Sequence, residues 1–214
     1  METIRLIDTL PRVFDGQPEI KSDVWNREIT FQRGKTYLVE AASGTGKSSL
    51  CSFIYGYRND YNGDICFDDV NIRQISLNGW LKIRKENISF LFQDLRLFNE
   101  LTAWENVEIK NELTRFKTQE EIERLFDRMQ LADKRHCLVG KLSYGQQQRV
   151  AFIRALCQPY DFILLDEPVS HLDEENAHIM ADILQEEAVG KGAGILVTSI
   201  GKHLSLNYSE IVRL

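Results

Sequence analysis

The chain has 214 residues, of which 43% are hydrophobic and 27% are charged, and its formal net charge at pH 7 is −6. This length suits one domain of generous size or two small ones, and the composition is ordinary for a globular protein. The negative charge argues against a broad basic surface for a nucleic-acid backbone, so we expect no nucleic-acid partner, although a local basic patch remains compatible with it.

Four cysteines, Cys51, Cys66, Cys137 and Cys157, are widely spread and form no CxxC pair. Their spacing argues against a zinc cluster or a redox motif, and free thiols in a reducing compartment are the simplest interpretation. The N-terminal sequence METIRLIDTL lacks the features of a signal peptide. No stretch approaches the roughly 18 apolar residues that cross a bilayer, so work at a membrane would need a second chain.

The first predicted elements are two short strands at residues 29–31 and 36–39, separated by a turn at 33–35. The second strand leads directly into a glycine-containing loop, and a helix is predicted to follow at 48–55. Residues 59–64 are rich in Asn, Asp and Gly and predict a turn.

The rest of the chain alternates between strand-like and helix-like segments. Apolar residues at helical spacing predict helices at 119–126 and 144–157. Short apolar runs predict strands at 65–67, 88–92, 162–165 and 195–197, and the last two are typical of strands buried on both faces of a parallel sheet. The order of strand, loop, helix, helical insert, strand, helix and strand favours an α/β fold.

The sequence EAASGTGKSSL has most of the pattern of a phosphate-binding loop. Gly44 and Gly46 allow the backbone N–H groups to approach an anion closely, ahead of a helix N-terminus. Lys47 supplies a charge for the β- and γ-phosphates, and Ser48 offers a hydroxyl to Mg²⁺. Ala41 stands where the first glycine is usual, which we expect to weaken the loop geometry without removing the site. The alternative is a solvated turn ahead of an amphipathic helix.

A second motif is the apolar run FILL followed by Asp166, Glu167 and Pro168. The carboxyl ends of strands in an open parallel sheet form the edge at which ligands gather. A carboxylate from Asp166 would hold Mg²⁺ through water, and Glu167 would polarise a water for attack on a γ-phosphate. Two solvated acids at a strand end are the alternative, and the phosphate-binding loop favours the magnesium interpretation.

A third motif, KLSYGQQQR, precedes the predicted helix at 144–157. Ser143 is placed to cap that helix, and Gly145 keeps the approach to its N-terminus open. The chain thus carries a second helix N-terminus suited to a phosphate, with a plain N-cap as the alternative.

Together these motifs closely resemble the nucleotide-binding subunits of ABC transporters, over essentially the whole chain. AASGTGKS at 41–48 matches the phosphate-binding loop, LFQD at 91–94 the Q-loop and LSYGQ at 142–146 the LSGGQ signature. FILLDE at 162–167 matches the Mg²⁺ strand with its catalytic glutamate, and SHLD at 170–173 matches the D-loop. The run at 88–107 is most similar to the compact ATPases of lipoprotein release, macrolide export and division-site permeases.

The resemblance implies an α/β P-loop NTPase fold of the ABC type. Such a fold has a central, mainly parallel sheet, an N-terminal antiparallel β subdomain and a helical signature subdomain. It implies one domain over residues 1–214, with the helical subdomain inserted at about 95–158.

The resemblance also implies a mechanism in which two copies bind head to tail. Each ATP would lie between the phosphate-binding loop of one chain and the signature of the other. Glu167 would be the general base, Gln93 would contact Mg²⁺ and sense a membrane partner, and Ser199 would occupy the position of a catalytic histidine. The residues implied to bind ATP are Phe14, Ala42, Ser43, Gly44, Thr45, Gly46, Lys47, Ser48, Ser49, Ser143, Gly145 and Gln146. Those implied to bind Mg²⁺ are Ser48, Gln93 and Asp166.

Two aromatic residues are candidates for stacking on the adenine of ATP. Phe14 lies 20 residues before Gly34, a spacing like that of the lipoprotein-release group, and an ordinary core position is its alternative. Trp25 is expected to lie in the sheet instead.

The sequence departs from the family pattern at Ala41, at Tyr144 and at Ser199. Tyr144 replaces the first glycine of the signature pair and is expected to point outward. Ser199 replaces a histidine that reaches the γ-phosphate, and a hydroxyl is shorter and carries no positive charge. His203 is expected to be an ordinary surface histidine. We therefore expect ATP to bind and close the dimer while hydrolysis is slow.

The leading functional hypothesis is an ATPase subunit on the cytoplasmic face of a membrane that powers an integral membrane permease. The segment at 95–107 would receive the permease through Leu97, Phe98, Leu101 and Trp104, unless these side chains belong to the core. The alternative is a non-transport ATPase that acts as a soluble ATP-dependent clamp or regulator. The transported substrate, the direction of transport and the identity of the second nucleotide-binding domain stay open.

Overall fold

The computed structural model describes residues 1–16, 21–42 and 44–214. Its strands in chain order are β1 (Thr3–Pro11), β2 (Glu28–Gln32), β3 (Thr36–Glu40), β4 (Tyr61–Phe67), β5 (Val70–Asn71), β6 (Ile88–Leu91), β7 (Phe162–Asp166), β8 (Gly194–Ser199) and β9 (Glu210–Arg213). Its α-helices are α1 (Lys47–Ile54), α2 (Leu77–Glu86), α3 (Ala103–Asn111), α4 (Gln119–Arg128), α5 (Tyr144–Leu156) and α6 (Glu174–Glu187).

Five strands form a parallel sheet in the order β6-β7-β8-β3-β9. Every residue of β7 and of β8 is buried, in agreement with the unbroken apolar runs that predicted these strands. Parallel strands end at one edge of their sheet, so the segments after β3, β6, β7 and β8 come together there. Those segments are the phosphate-binding loop, the Q-loop, Glu167 and the residues after Ser199.

A second, antiparallel sheet has the order β2-β1-β4-β5. Ile4 and Leu6 of β1 are fully buried in the core that this sheet shares with α1 and with one face of the parallel sheet. The two sheets and their helices confirm the predicted α/β P-loop NTPase fold.

The helices α3, α4 and α5 lie in the chain between β6 and β7. Their apolar faces share one core with β7, β8 and α6, and Trp104 stacks on Phe126 with ring centroids 5.9 Å apart. Each helix begins with a capping box, from Thr102, Thr118 and Ser143 respectively, which satisfies two of the N-terminal amides.

Two local predictions are wrong. Residues 59–64 do not form a simple turn, because β4 already begins at Tyr61 and pairs with a bulge in β1. Gly63 permits that pairing: a Cβ there would lie 2.3 Å from the Asp8 carbonyl oxygen. Trp25 does not lie in the sheet but in the turn before β2, where it is almost fully buried.

Within the described residues, no helix has the length and hydropathy to cross a membrane. The same residues contain no group of three or more His, Cys, Asp or Glu side chains arranged to hold a metal.

Candidate functional site

The loop after β3 has the backbone of an anion cradle. Gly44 and Gly46 have φ values of 83° and 99°, which favour glycine. Gly46 is the N-cap of α1, and no side chain of the described residues caps that helix, so its first N–H groups are open to a ligand. Ala41 does not have a positive φ, and its N–H extends the β3–β8 pairing to the Ser199 carbonyl at 3.2 Å. A glycine is therefore not required at position 41.

Lys47, the first residue of α1, is buried at the base of this loop. Its Nζ donates to the Ala42 carbonyl at 3.0 Å and lies 3.8 Å from Oε1 of Glu167. Thr45 Oγ1 donates to the same Ala42 carbonyl at 2.9 Å. The ammonium and the Glu167 carboxylate thus meet at the free amides of α1, where a phosphate would lie.

Two aromatic side chains pack beneath Gly46. A Cβ at Gly46 would lie 3.1 Å from Cζ2 of Trp25 and 3.4 Å from Cε2 of Phe14. Trp25 Nε1 donates to the Thr45 carbonyl at 2.9 Å, so Trp25 supports the loop instead of the sheet. Phe14 is half-buried and lines the cavity of the loop, a place compatible with the predicted adenine contact.

Three oxygen donors predicted to bind Mg²⁺ line one cavity of about 410 Å³. Ser48 Oγ donates to Oε1 of Gln93 at 3.2 Å, and Asp166 is buried at the end of β7, where its Oδ1 accepts a hydrogen bond from Thr198 Oγ1 at 2.5 Å. A hydroxyl, an amide oxygen and a carboxylate are the hard ligands that Mg²⁺ prefers, and a cavity of this size leaves room for its waters. The residues present therefore fit the ion.

Glu167 has a φ of 51°, unusual for a residue other than glycine. Its N–H donates to the Thr198 carbonyl at 3.1 Å, and its carbonyl accepts from Gln148 Nε2 at 3.1 Å and from Ser170 Oγ at 3.2 Å. These contacts hold the turn after β7 so that the carboxylate lines the loop cavity together with Lys47.

Ser143 forms the predicted N-cap of α5. Its Oγ accepts from the Gln146 N–H at 3.3 Å, and Gln146 Oε1 accepts from the Ser143 N–H at 2.9 Å. Neither these two residues nor Gly145 lines the cavity of the phosphate-binding loop in the described part of the same chain.

Tyr144 is exposed, as predicted, but its side chain also makes two contacts that the sequence did not predict. Its hydroxyl donates to the Gln93 carbonyl at 3.0 Å, and its ring packs edge-on against His171 with centroids 4.4 Å apart. The signature helix, the Q-loop and the D-loop therefore meet at this side chain.

Ser199 does not line the loop cavity. It is buried, and its hydroxyl donates to the Lys202 carbonyl. His203 is exposed, as predicted, and its ring lies nearest that of Tyr208. No imidazole therefore reaches the cavity in the described residues, and Ile200 lines it in this region.

The structure brings most of the predicted site residues of the loop together. Those that line its cavity are Phe14, Gly44, Gly46, Lys47, Ser48, Ser49, Gln93 and Glu167. Ala42 and Thr45 contact them through the loop, and Asp166 lines the adjoining cavity. Ser43 lies outside the described residues. The prediction missed the supporting roles of Trp25, Tyr144 and Gln148, which depend on contacts between distant segments.

The chain matches the family model of ABC transporters over residues 25–170. It is 30% identical to the lipoprotein-releasing system ATP-binding protein LolD of Buchnera aphidicola, over 80% of this chain and 76% of that protein. It is equally 30% identical to the ABC transporter ATP-binding protein YtrE of Bacillus subtilis, over 85% of this chain and 80% of that protein.

A longer relative and two solved structures agree with this match. The chain is 30% identical to the macrolide export ATP-binding/permease protein MacB of a Shewanella species, over 87% of this chain but only 29% of that longer protein. The dimeric bacterial ABC transporter cassette MJ0796 superposes with a TM-score of 0.76 and 26% identity, over 92% of this chain and 87% of that one. A second structure of MJ0796 is a post-hydrolysis state bound to ADP and phosphate, with a TM-score of 0.74, 26% identity and the same coverage. The chain belongs to the ABC transporter ATP-binding family, as an ATPase of the group that contains LolD and MacB.

Proposed function

We propose that this ATPase works as a head-to-tail pair that energises a separate membrane permease. The observation that carries the proposal is the division of the predicted site within one chain. Lys47, Ser48, Gln93 and Glu167 converge on the loop cavity, whereas the signature residue Ser143 does not line it. Because both helix N-termini suit a phosphate, the Ser143 terminus would complete the site of a second copy. The dimeric cassette to which the chain is similar supports this arrangement.

Within each site, the residues at the edge of the parallel sheet would divide the work. The free amides of α1 and Lys47 would hold the phosphates, and Ser48, Gln93 and Asp166 would hold Mg²⁺. The ion would neutralise negative charge on the phosphate oxygens. Glu167 would orient the attacking water and accept its proton. ATP would separate Lys47 from Glu167, which leaves that carboxylate free to act as a base.

We propose further that hydrolysis is slow. The residue after Thr198 is Ser199, whose hydroxyl donates to the Lys202 carbonyl. A serine also carries no positive charge that it could offer to the γ-phosphate. An imidazole at this position would add a hydrogen-bond donor to the transition state, and a single such donor accounts for roughly a hundredfold or more in related cases.

Steady-state ATP turnover by the purified chain tests these roles. We expect measurable turnover, its loss in Glu167→Gln, and an increase of about tenfold or more in Ser199→His. Fast turnover that persists unchanged in Ser199→Ala and does not rise in Ser199→His would contradict slow hydrolysis. Full turnover in Glu167→Gln would contradict the assignment of the base.

The permease would dock on a groove of about 220 Å³ between the core and the helices α3 and α5, here called the docking groove. Its walls are aromatic and apolar, and Phe98 and Ile109 are exposed in it. Two other residues of the segment at 95–107 that were expected to contact the permease, Leu97 and Trp104, pack against the helical core instead. The docking groove is lined by Tyr55, Tyr57, Phe92, Phe98, Ile109 and Lys110, among others.

The charges in the docking groove also support an external partner. Burial, together with the charge of Arg154, lowers the pKa of Lys110 to about 8. Within the described residues, the ammonium of Lys110 has no hydrogen-bond or ion-pair partner. An unpaired, half-buried ammonium is costly, and a carboxylate from a docked permease segment would offset that cost.

A further inference from the structure

Tyr144 connects two segments that have separate roles in the proposed mechanism. Its neighbour Ser143 caps α5 and would face the ATP of a second copy. The Tyr144 hydroxyl instead donates to the Gln93 carbonyl of its own chain at 3.0 Å. A glycine at this position, as in the family signature, has no side chain with which to make that contact.

The segment that contains Gln93 depends on such support. Leu95 and Arg96 have φ values of 56° and 49°, so two consecutive non-glycine residues adopt the left-handed conformation. Conformations of this kind persist where the surroundings hold them. Tyr144 and Arg154, near opposite ends of α5, bind the carbonyls at both ends of this segment.

The same segment carries the amide that faces the proposed ion. Gln93 Oε1 accepts the Ser48 hydroxyl at 3.2 Å, and Tyr144 lines the cavity that Ser48, Gln93 and Asp166 share. A shift of the Gln93 main chain therefore moves this oxygen relative to Ser48 and Asp166.

We propose that Tyr144 is a positioning residue, which holds the Gln93 main chain so that its amide oxygen stays beside Ser48 as a Mg²⁺ ligand. This role rests on the proposed function. With Ser143 at the ATP of the second copy and Tyr144 on Gln93 of its own chain, these two neighbouring residues would directly connect the two nucleotide sites of a pair. Movement of the signature when Ser143 meets the ATP of the partner is transmitted through the Tyr144 hydroxyl to Gln93.

The test compares Tyr144→Phe, which keeps the ring on His171, with the unaltered chain and with Tyr160→Phe. The control also removes a tyrosine hydroxyl bonded to a main-chain carbonyl, that of Glu187, outside the described nucleotide site. Amide hydrogen exchange of a peptide spanning 92–97 is measured without nucleotide. We expect exchange about three- to tenfold faster in Tyr144→Phe only, the factor that corresponds to one lost hydrogen bond.

A second readout is the affinity for a fluorescent ATP analogue with and without Mg²⁺. Tyr144→Phe should keep the Mg²⁺-free affinity and lose about three- to tenfold of the enhancement that Mg²⁺ gives. Unchanged exchange at 92–97, or exchange that rises equally in Tyr160→Phe, overturns the proposal, as does a fully retained Mg²⁺ enhancement. Failure of the unaltered chain to bind the analogue would contradict the proposed function instead, and the exchange measurement still decides the role of Tyr144.

Discussion

Individual residues at the candidate site hold conformations that a free chain avoids. Glu167 has a φ of 51°, a conformation that costs a non-glycine residue on the order of 1–3 kcal/mol. Hydrogen bonds from Gln148 and Ser170, and one to Thr198, keep it there. As a result, the Glu167 carboxylate lies 3.8 Å from the Lys47 ammonium. An ordinary continuation of β7 would instead carry that carboxylate further along the strand. Strain is thus retained at the position that the proposed chemistry uses.

Gly46 provides a residue-scale prediction. Gly46→Ala should lower the free energy of unfolding by about 1–3 kcal/mol and weaken nucleotide binding, because its φ is 99° and the new Cβ would crowd Trp25 at 3.1 Å. Denaturant unfolding and nucleotide titration measure both effects. Gly190→Ala is the matched control, since no atom lies within 4 Å of its Cβ position, and it should change stability by less than about 0.5 kcal/mol. Equal behaviour of the two variants would contradict this account.

Motifs that are contiguous in the sequence predicted where Lys47, Ser48 and Glu167 would meet. Each motif follows a strand, and parallel strands end at one edge, so the sequence was sufficient for their approach. Trp25 was placed wrongly and the Tyr144 contacts were missed, because these contacts join segments 20 and 51 residues apart. No local pattern reports which side chain fills the space beneath a loop or reaches a carbonyl on another element.

At the scale of the elements, the strength of each sequence signal decided what could be predicted. Strands β7 and β8 are buried along their whole length and are apolar throughout, so they were evident. The strands β1 and β9 and the helix α2 were not anticipated, and α6 was expected only as a helix between β7 and β8 without stated bounds. Only one residue of β9 is buried, and α2 buries none completely, so their sequences carry little apolar pattern. The division into one domain with a helical subdomain at about 95–158 stays a prediction.

Helix α3 provides an element-scale prediction through Lys110. The pKa of Lys110 is about 8 in the folded chain, against 10.5 for an unperturbed lysine, so folding favours its neutral form. Below pH 8 the residue is protonated in both states and this cost is fully present. Lys110→Met should therefore unfold with a free energy about 2–3 kcal/mol higher near neutral pH. The difference should shrink as the pH rises from 8 to 10.5.

Denaturant unfolding of the parent and of Lys110→Met across this pH range measures that difference directly. The other titrating groups are shared by the two proteins, so every contribution that does not depend on the Lys110 charge cancels from the comparison. A stability difference that stays constant from pH 7 to pH 10.5 would show that Lys110 is not desolvated in the docking groove.

At the scale of the whole molecule, the docking groove and the nucleotide site adjoin each other. Phe92 and Arg96 line both the docking groove and the cavity of the proposed Mg²⁺ ligands. A partner seated on this surface would therefore contact the segment that carries Gln93. This continuity gives a physical route by which a permease and the nucleotide affect each other.

Phe98 tests the docking groove. Phe98→Asp should abolish co-purification with a polytopic membrane protein and leave ATP binding by the isolated chain unchanged, since an exposed apolar contact is replaced by a charge. Leu81→Asp, an equally exposed apolar position on α2 outside the docking groove, is the control. Co-purification that survives Phe98→Asp, or that both variants lose alike, would place the permease elsewhere.

The pairing of two copies through ATP is the central claim, and the molar mass of Glu167→Gln in solution tests it most directly. With ATP and Mg²⁺ present, light scattering should give twice the chain mass of 24.8 kDa, because bound ATP would stay uncleaved and would join each loop to the signature of the other copy. Without nucleotide the mass should return to 24.8 kDa. A mass of 24.8 kDa that persists when ATP is demonstrably bound would contradict the account.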